Sequence, residues 1–355
     1  MPERPFLVLV GGFLGAGKTT LILRTARLLH ERGLRPAIVT NDQAGSLVDT
    51  RNAAAAGIAA GEVAGACFCC RFHGFIAAAE SLLPLHPDVI FAEPVGSCAD
   101  LSATVIQPLK QFYADRFRLA PYSVLVDPQR EGQFADPLLD YLSEKQLAEA
   151  DLVLINKSDL HRTQPPAISH QSPAPIRHIS ALTGQGVAEW LEEILSGRLP
   201  SGARLLDIDY ARYAAAEAAL GWLNLEARFH SETALSPASV VGPLLERLDA
   251  ALTEAGAAIA HLKIFDHAST GYIRAGICRN GDEPSFEGDL LASPACDHEL
   301  VINLRAAALP ATLMDAVAGS TAELPGEFHV THQQCFQPSP PVPEHRFTNV
   351  VPAMP

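Results

Sequence analysis

No apolar stretch in this chain approaches the roughly 20 residues that a membrane-crossing helix requires. The longest early one, Phe6–Leu14, is interrupted by glycines and runs straight into Gly17 and Lys18. It has neither a basic leader nor a small-residue cleavage site, so no secretory signal and no membrane partner are expected. Basic residues are also scarce: 26 Lys and Arg stand against 40 Asp and Glu, a formal net charge of −14. That balance disfavours non-specific binding to nucleic acid or anionic lipid, which are themselves negative. No internal repeat is visible. The expected setting is a reducing cytoplasm, where the seven cysteines (67, 69, 70, 98, 278, 296, 335) read as thiols or metal ligands and not as disulfides.

What is present fits a soluble globular enzyme. The 355 residues suffice for about two domains, with 48% apolar and 19% charged residues. Residues 1–200 alternate short β-branched runs with helical stretches, the pattern of an α/β P-loop NTPase fold with a mostly parallel sheet flanked by helices. Strands are expected at Phe6–Val10, Pro36–Thr40, Asp88–Ala92, Ser123–Val126, Leu152–Ile155 and Ile176–Ile179. After a Gly- and Pro-containing linker at Gly197–Ala203, residues 201–320 read as a smaller α+β domain with an antiparallel sheet. The prolines from Ala322 onward predict an irregular tail over 321–355, draped on the body or partly mobile.

Gly12–Thr19 matches the phosphate-binding loop pattern, between an apolar strand and a helix. Gly12, Gly15, Ala16 and Gly17 let backbone N–H groups face the phosphates, and Lys18, Thr19 and Thr20 open the helix whose N-terminus favours anions. Lys18 is assigned to the β- and γ-phosphates, and the Thr19 hydroxyl to Mg²⁺. Asn156, Lys157, Ser158 and Asp159 follow another apolar strand, where a nucleotide base lies in such folds. The Asp159 carboxylate can accept from N1–H and the exocyclic amine of guanine, two donors that adenine lacks, so GTP is the expected nucleotide. Ser180 and Ala181 follow the next strand, where a backbone N–H can meet the guanine carbonyl. Glu93 ends a strand where a Walker-B-type acid meets Mg²⁺ through water, and Gly96 is placed near the γ-phosphate. Asp42 is a candidate for Mg²⁺ or the attacking water, with Asp49 further along its loop; a plain loop residue or helix cap is the competing reading of both. No arginine finger can be picked out, so hydrolysis is expected to be slow without a partner or dimerisation.

Cys67, Cys69 and Cys70 fall within four residues. They can converge three soft thiolates only if the backbone bends there, and such a set suits Zn²⁺ or Cu(I) with one ligand position left open, as a carrier needs. The bland alternative is three small thiols packed beneath the sheet. His329, His332 and Cys335 have spacings that a metal site could use, although solvated tail histidines are favoured. The run Cys296–Glu299 reads as structural, Trp222, Phe229 and Phe265 as core, and Asp207 and Asp209 as helix caps.

Taken together, Gly11–Thr20, Glu62 with Cys67–Cys70, Glu93–Gly96, Gln146–Asp151 and Asn156–Leu160 resemble the CobW-like metallochaperone GTPases, relatives of the nickel-insertion GTPases for hydrogenase and urease. The likeness covers most of residues 5–195; beyond it only the architecture, a second small α+β domain, is similar. Two departures stand out. Ala66 precedes the first cysteine where the family usually has glycine (here Gly65), and Asn41–Ala44 replaces the usual Asn-Glu-aromatic-or-apolar-Gly of the first switch. The resemblance implies a GTP-hydrolysing carrier of a transition metal, zinc first by ligand softness and cobalt second through the family's link to cobalamin biosynthesis. Its partners would be a client metalloprotein or other metal acceptor, with a homodimer across the nucleotide face as a candidate assembly. Two rivals are a regulatory G-protein that binds no metal and docks on a client enzyme, and a small-molecule kinase on the same scaffold, against which Asp159 argues.

Overall fold

The computed structural model describes residues 4–42, 53, 57–130, 133–134, 136–160 and 172–352, and of Asp42 the backbone alone. The described chain falls into two compact units, 4–213 with 340–352, and 214–339.

The first unit follows from its apolar runs. Strands β1 (Phe6–Gly12), β2 (Pro36–Asp42), β3 (Ala59–Ala64), β4 (Val89–Glu93), β5 (Arg118–Leu119), β6 (Ser123–Val126), β7 (Leu152–Ile155) and β8 (Ile176–His178) form one sheet in the order β3-β2-β4-β1-β6-β7-β8, with β5 beside β1. All of these pairings are parallel. Strands buried on both faces tolerate unbroken apolar runs, which is why β1, β4 and β7 show little polar alternation. Helix α1 (Lys18–Glu31) packs Leu21, Ile22, Ala26 and Leu29 into a core shared with Val8, Phe91, Leu154 and Trp190. The flanking helices continue with α2 (Phe72–Leu82), α3 (Gln107–Phe112), led in by a π-turn at Ser102–Ile106, α4 (Pro137–Glu149) and α5 (Val187–Leu195). Because the strands run parallel, their carboxyl ends share one edge, and β1, β2, β4, β6, β7 and β8 all end there.

The second unit is an antiparallel sheet, β12-β11-β10-β13-β9-β14, covered by α7 (Pro237–Glu254) and α8 (Pro310–Ala322). Its strands are β9 (Gly221–Leu235), β10 (Ala258–Ala268), β11 (Gly271–Ile277), β12 (Ser285–Gly288), β13 (Ala295–Ala307) and β14 (Glu327–Phe336). Trp222, Phe229 and Phe265 are buried, as their sequence context predicts. Helix α6 (Tyr210–Ala218) precedes β9, and Asp209 caps it through bonds to Ala211 N and Arg212 N.

The tail expected over 321–355 needs correction. Strand β14 pairs with β9 in register Phe328↔Phe229 and Phe336↔Trp222. It is an edge strand whose side chains are mostly exposed, so it lacks the apolar alternation that betrays a half-buried strand, and the nearby prolines flank it without entering it. Residues 340–352 form no helix or strand and lie along the first unit.

Candidate functional site

The phosphate loop begins where β1 ends. Gly17 caps α1 at φ 98, left-handed backbone that suits glycine, and a Cβ there would lie 2.3 Å from Asn156 Nδ2. The Lys18 ammonium lies 2.8 Å from the Gly12 carbonyl and 3.3 Å from that of Phe13, which holds it over the loop. Thr19 Oγ1 donates to Glu93 Oε1 at 2.9 Å, and both residues are buried. A hydroxyl beside a carboxylate is the hard-oxygen donor set that Mg²⁺ takes, so these two residues fit that ion. Gly96 packs against the phosphate loop itself: a Cβ would lie 2.9 Å from Leu14 N.

The base-reading motif is built from three strands. Asn156 donates to Ala16 O at 2.8 Å and accepts from Ala181 N at 2.9 Å, which ties β7 to the phosphate loop and to the segment after β8. The Ala181 N–H, assigned above to the guanine carbonyl, is thus engaged by Asn156, while Ser180 is buried and accepts from Thr183 N through Oγ. Lys157 has φ 59, uncommon for a residue with a Cβ, and pairs with Asp127 after β6 at 2.5 Å. Asp159 Oδ1 is buried without a hydrogen-bond partner among the described residues. A buried carboxylate oxygen so placed fits a ligand that brings its own donors, as guanine does. The Asp42 side chain and Asp49 lie outside the described residues.

The cysteines follow β3. Gly65 turns the chain, and Cys70 N and Arg71 N both donate to Cys67 O (3.1 and 3.0 Å), which supplies the required bend. The sulfurs of Cys67 and Cys69 are 2.8 Å apart, those of Cys69 and Cys70 are 3.7 Å apart, and all three lie within 4.8 Å of one another. A tetrahedral Zn–S bond of about 2.3 Å sets sulfurs about 3.8 Å apart, a spacing that the Cys69–Cys70 pair meets and that the Cys67–Cys69 pair would reach by opening about 1 Å. Hydrogen bonds from Cys69, then Cys70 and Cys98, hold Cys67 well below the ordinary thiol range. The same bond to Cys67 leads the upward shifts of Cys69 and Cys70, the latter to about 12.

Two segments run from the nucleotide edge to these thiols. Asn41, at the end of β2, donates to Val63 O (2.8 Å) and Ala66 O (2.7 Å) and accepts from Phe68 N (2.9 Å), stapling the cysteine turn on both sides. The segment after β4 starts at Glu93 beside Thr19 and ends at Cys98 beside Cys67. Gln146 of α4 holds it with bonds of 2.9 Å to both Gly96 O and Cys98 O.

Residues 6–174 match the family description "CobW/HypB/UreG, nucleotide-binding domain". The urease accessory protein UreG of Ureaplasma parvum is 32% identical over 172 residues, which are 44% of this chain and 74% of that protein. The chain belongs to the CobW/HypB/UreG family. It is accordingly a P-loop GTPase of the metallochaperone type. Among solved structures, HypB from Helicobacter pylori in complex with nickel shares 18% identity, covering 57% of this chain and 92% of that one at a TM-score of 0.42. Zn(II)-bound YjiA GTPase from E. coli shares 16%, covering 89% and 99% at a TM-score of 0.29.

In this family member, motif reading missed Asp127, Gln146 as a brace, Asn41 as a staple, and Cys98 beneath the trio. Two of these lie in runs noted above, Asn41 in the first-switch segment and Gln146 at the head of the run before the guanine motif, while Asp127 and Cys98 follow strands that end at the same edge. His329, His332 and Cys335 lie on β14 and are not among the converging ligand groups of the described residues; Cys335 donates to Pro310 O. His298 of the Cys296–Glu299 run is buried against Asp266 at 2.9 Å. No helix among the described residues is long and apolar enough to cross a membrane.

Proposed function

We propose that this GTPase carries a transition metal on Cys67, Cys69 and Cys70 and that its nucleotide state sets the affinity for that metal. The observation that carries the reading is the convergence of three sulfurs at the far end of the segment that begins at Glu93. Lys18 would hold the β- and γ-phosphate oxygens, Thr19 and Glu93 the Mg²⁺ that neutralises their charge, and Asp159 the guanine. A change at the γ-phosphate would pull on Glu93 and Asn41, and both transmit to the thiol turn. Thiolate softness supports zinc, with cobalt next. The open fourth position suits hand-over to a client metalloprotein, and the related UreG is named as a urease accessory protein. Thiols kept reduced suit the cytoplasm.

The test is a cobalt(II) titration of protein loaded with GDP or with a non-hydrolysable GTP analogue, read at the thiolate-to-metal charge-transfer band. The dissociation constants should differ on the order of tenfold, within the usual range of coupling between sites. Equal constants in the two states would remove the coupling, and a missing thiolate band would favour a regulatory G-protein that binds no metal.

A further inference from the structure

A second group of ligand-type side chains lies beside the cysteines. His73 opens α2 three residues after Cys70, and residues 340–352 bring Glu344 and His345 against it. One ligand atom from each of the three lies within 4.8 Å of the others. Glu344 Oε2 accepts from His73 N at 3.0 Å and lies 2.5 Å from His73 Nδ1. The His345 ring stands edge-on to Phe72 (centroids 5.2 Å apart) and tilted against Phe112 (5.6 Å), so aromatic packing fixes its direction. The backbone of the same segment is tied to the cysteine turn: Glu344 N donates to Cys69 O at 2.9 Å, and Val342 N to Cys70 Sγ at 3.3 Å.

Burial differs sharply between the two groups. Cys67 and Cys69 are 4% and 2% exposed, whereas the His73 side chain is 69% exposed. An ion from solvent therefore reaches the His73 imidazole more readily than the sulfurs of Cys67 and Cys69, and the half-buried Cys70 stands between these extremes. Two imidazoles and a carboxylate suit zinc, cobalt or nickel, and three ligands on an open surface bind more weakly and exchange faster than a buried sulfur set.

We propose that His73, Glu344 and His345 form a second divalent-cation site, from which the ion passes through Cys70 to Cys67 and Cys69. Transfer is ligand exchange: each metal–nitrogen or metal–oxygen bond broken is replaced by a metal–sulfur bond, each thiol releases its proton to water, and no electron moves. The hand-over rests on the cysteine reading above; the binding site does not.

Cobalt(II) and the full chain without a histidine tag test both parts. Protein carrying Cys67→Ser, Cys69→Ser and Cys70→Ser should still bind one equivalent, with weak visible absorption and no thiolate band. Adding His73→Ala and His345→Ala should abolish that binding while GTP binding persists. With the cysteines intact, the two alanines should slow growth of the thiolate band on the order of tenfold at limiting cobalt and leave its final height unchanged, because a surface site raises the local ion concentration. The site is refuted if the serine variant binds no cobalt or if the alanines leave its binding intact, and the hand-over is refuted if the loading rate is unchanged. A missing thiolate band in the unaltered protein would overturn the cysteine reading and the hand-over with it, whatever the serine variant binds.

Discussion

Asp159 and Glu149 are two carboxyls with opposite needs. Asp159 keeps a buried oxygen without a partner among the described residues, which a bound guanine's donors would satisfy. Replacing it with Asn removes a charge-assisted pair, so GTP affinity should fall about tenfold to a hundredfold while ATP binding stays weak and unchanged, as competition measurements would show. Glu149 is fully buried in the first unit, where it accepts from Ser102 N at 2.8 Å. Burial raises its pKa to about 8, above the ordinary 4.5. Below the unfolded value both states hold the proton and nothing is lost. Between the two values the folded state keeps a proton that the unfolded chain has shed, so stability declines with pH and the loss is complete above the folded value. Glu149→Gln should flatten that decline, worth on the order of a few kcal/mol between about pH 5 and about pH 9, in urea midpoints. At this scale the site was half legible. Lys18, Thr19 and Asp159 sit in contiguous motifs, but the Lys157–Asp127 pair joins residues from two strands, and nothing local to either announces the other.

The cysteine turn is shaped from outside. Its own sequence supplies Gly65 and the sulfurs, while Asn41 supplies three of the hydrogen bonds that fix it. Asn41→Ala leaves two carbonyls and an N–H without that partner at a buried position, at a cost of about 1–3 kcal/mol for a group left unsatisfied. Cobalt affinity should drop on the order of tenfold or more with GTP affinity held within about twofold, measured by parallel titrations. The elements themselves were largely readable. Apolar runs marked β1, β4, β6 and β7. The exposed edge strand β14 and the four-residue β12 were not, because neither buries enough side chains to impose a period on the sequence.

Across the whole molecule, distant chain segments return to one place. Residues 340–352 belong with the first unit although residues 214–339 form another, and they bring backbone donors to Cys69, Cys70 and Ala103. Composition disfavoured some classes of partner, but it could not show this return. The segment from Glu93 to Cys98 carries a further consequence, because its length is a fixed quantity. Five residue steps reach about 17 Å at full extension, and bonds from Gln146 at Gly96 and Cys98 already set where the slack lies. A single residue inserted after Val95 should let each end keep its own ligand while the tether between them goes slack. Cobalt would still bind and GTP would still be cleaved, yet neither titration would register the other. Loop count, more than any side chain, would then decide whether this protein is a machine or merely two adjoining sites.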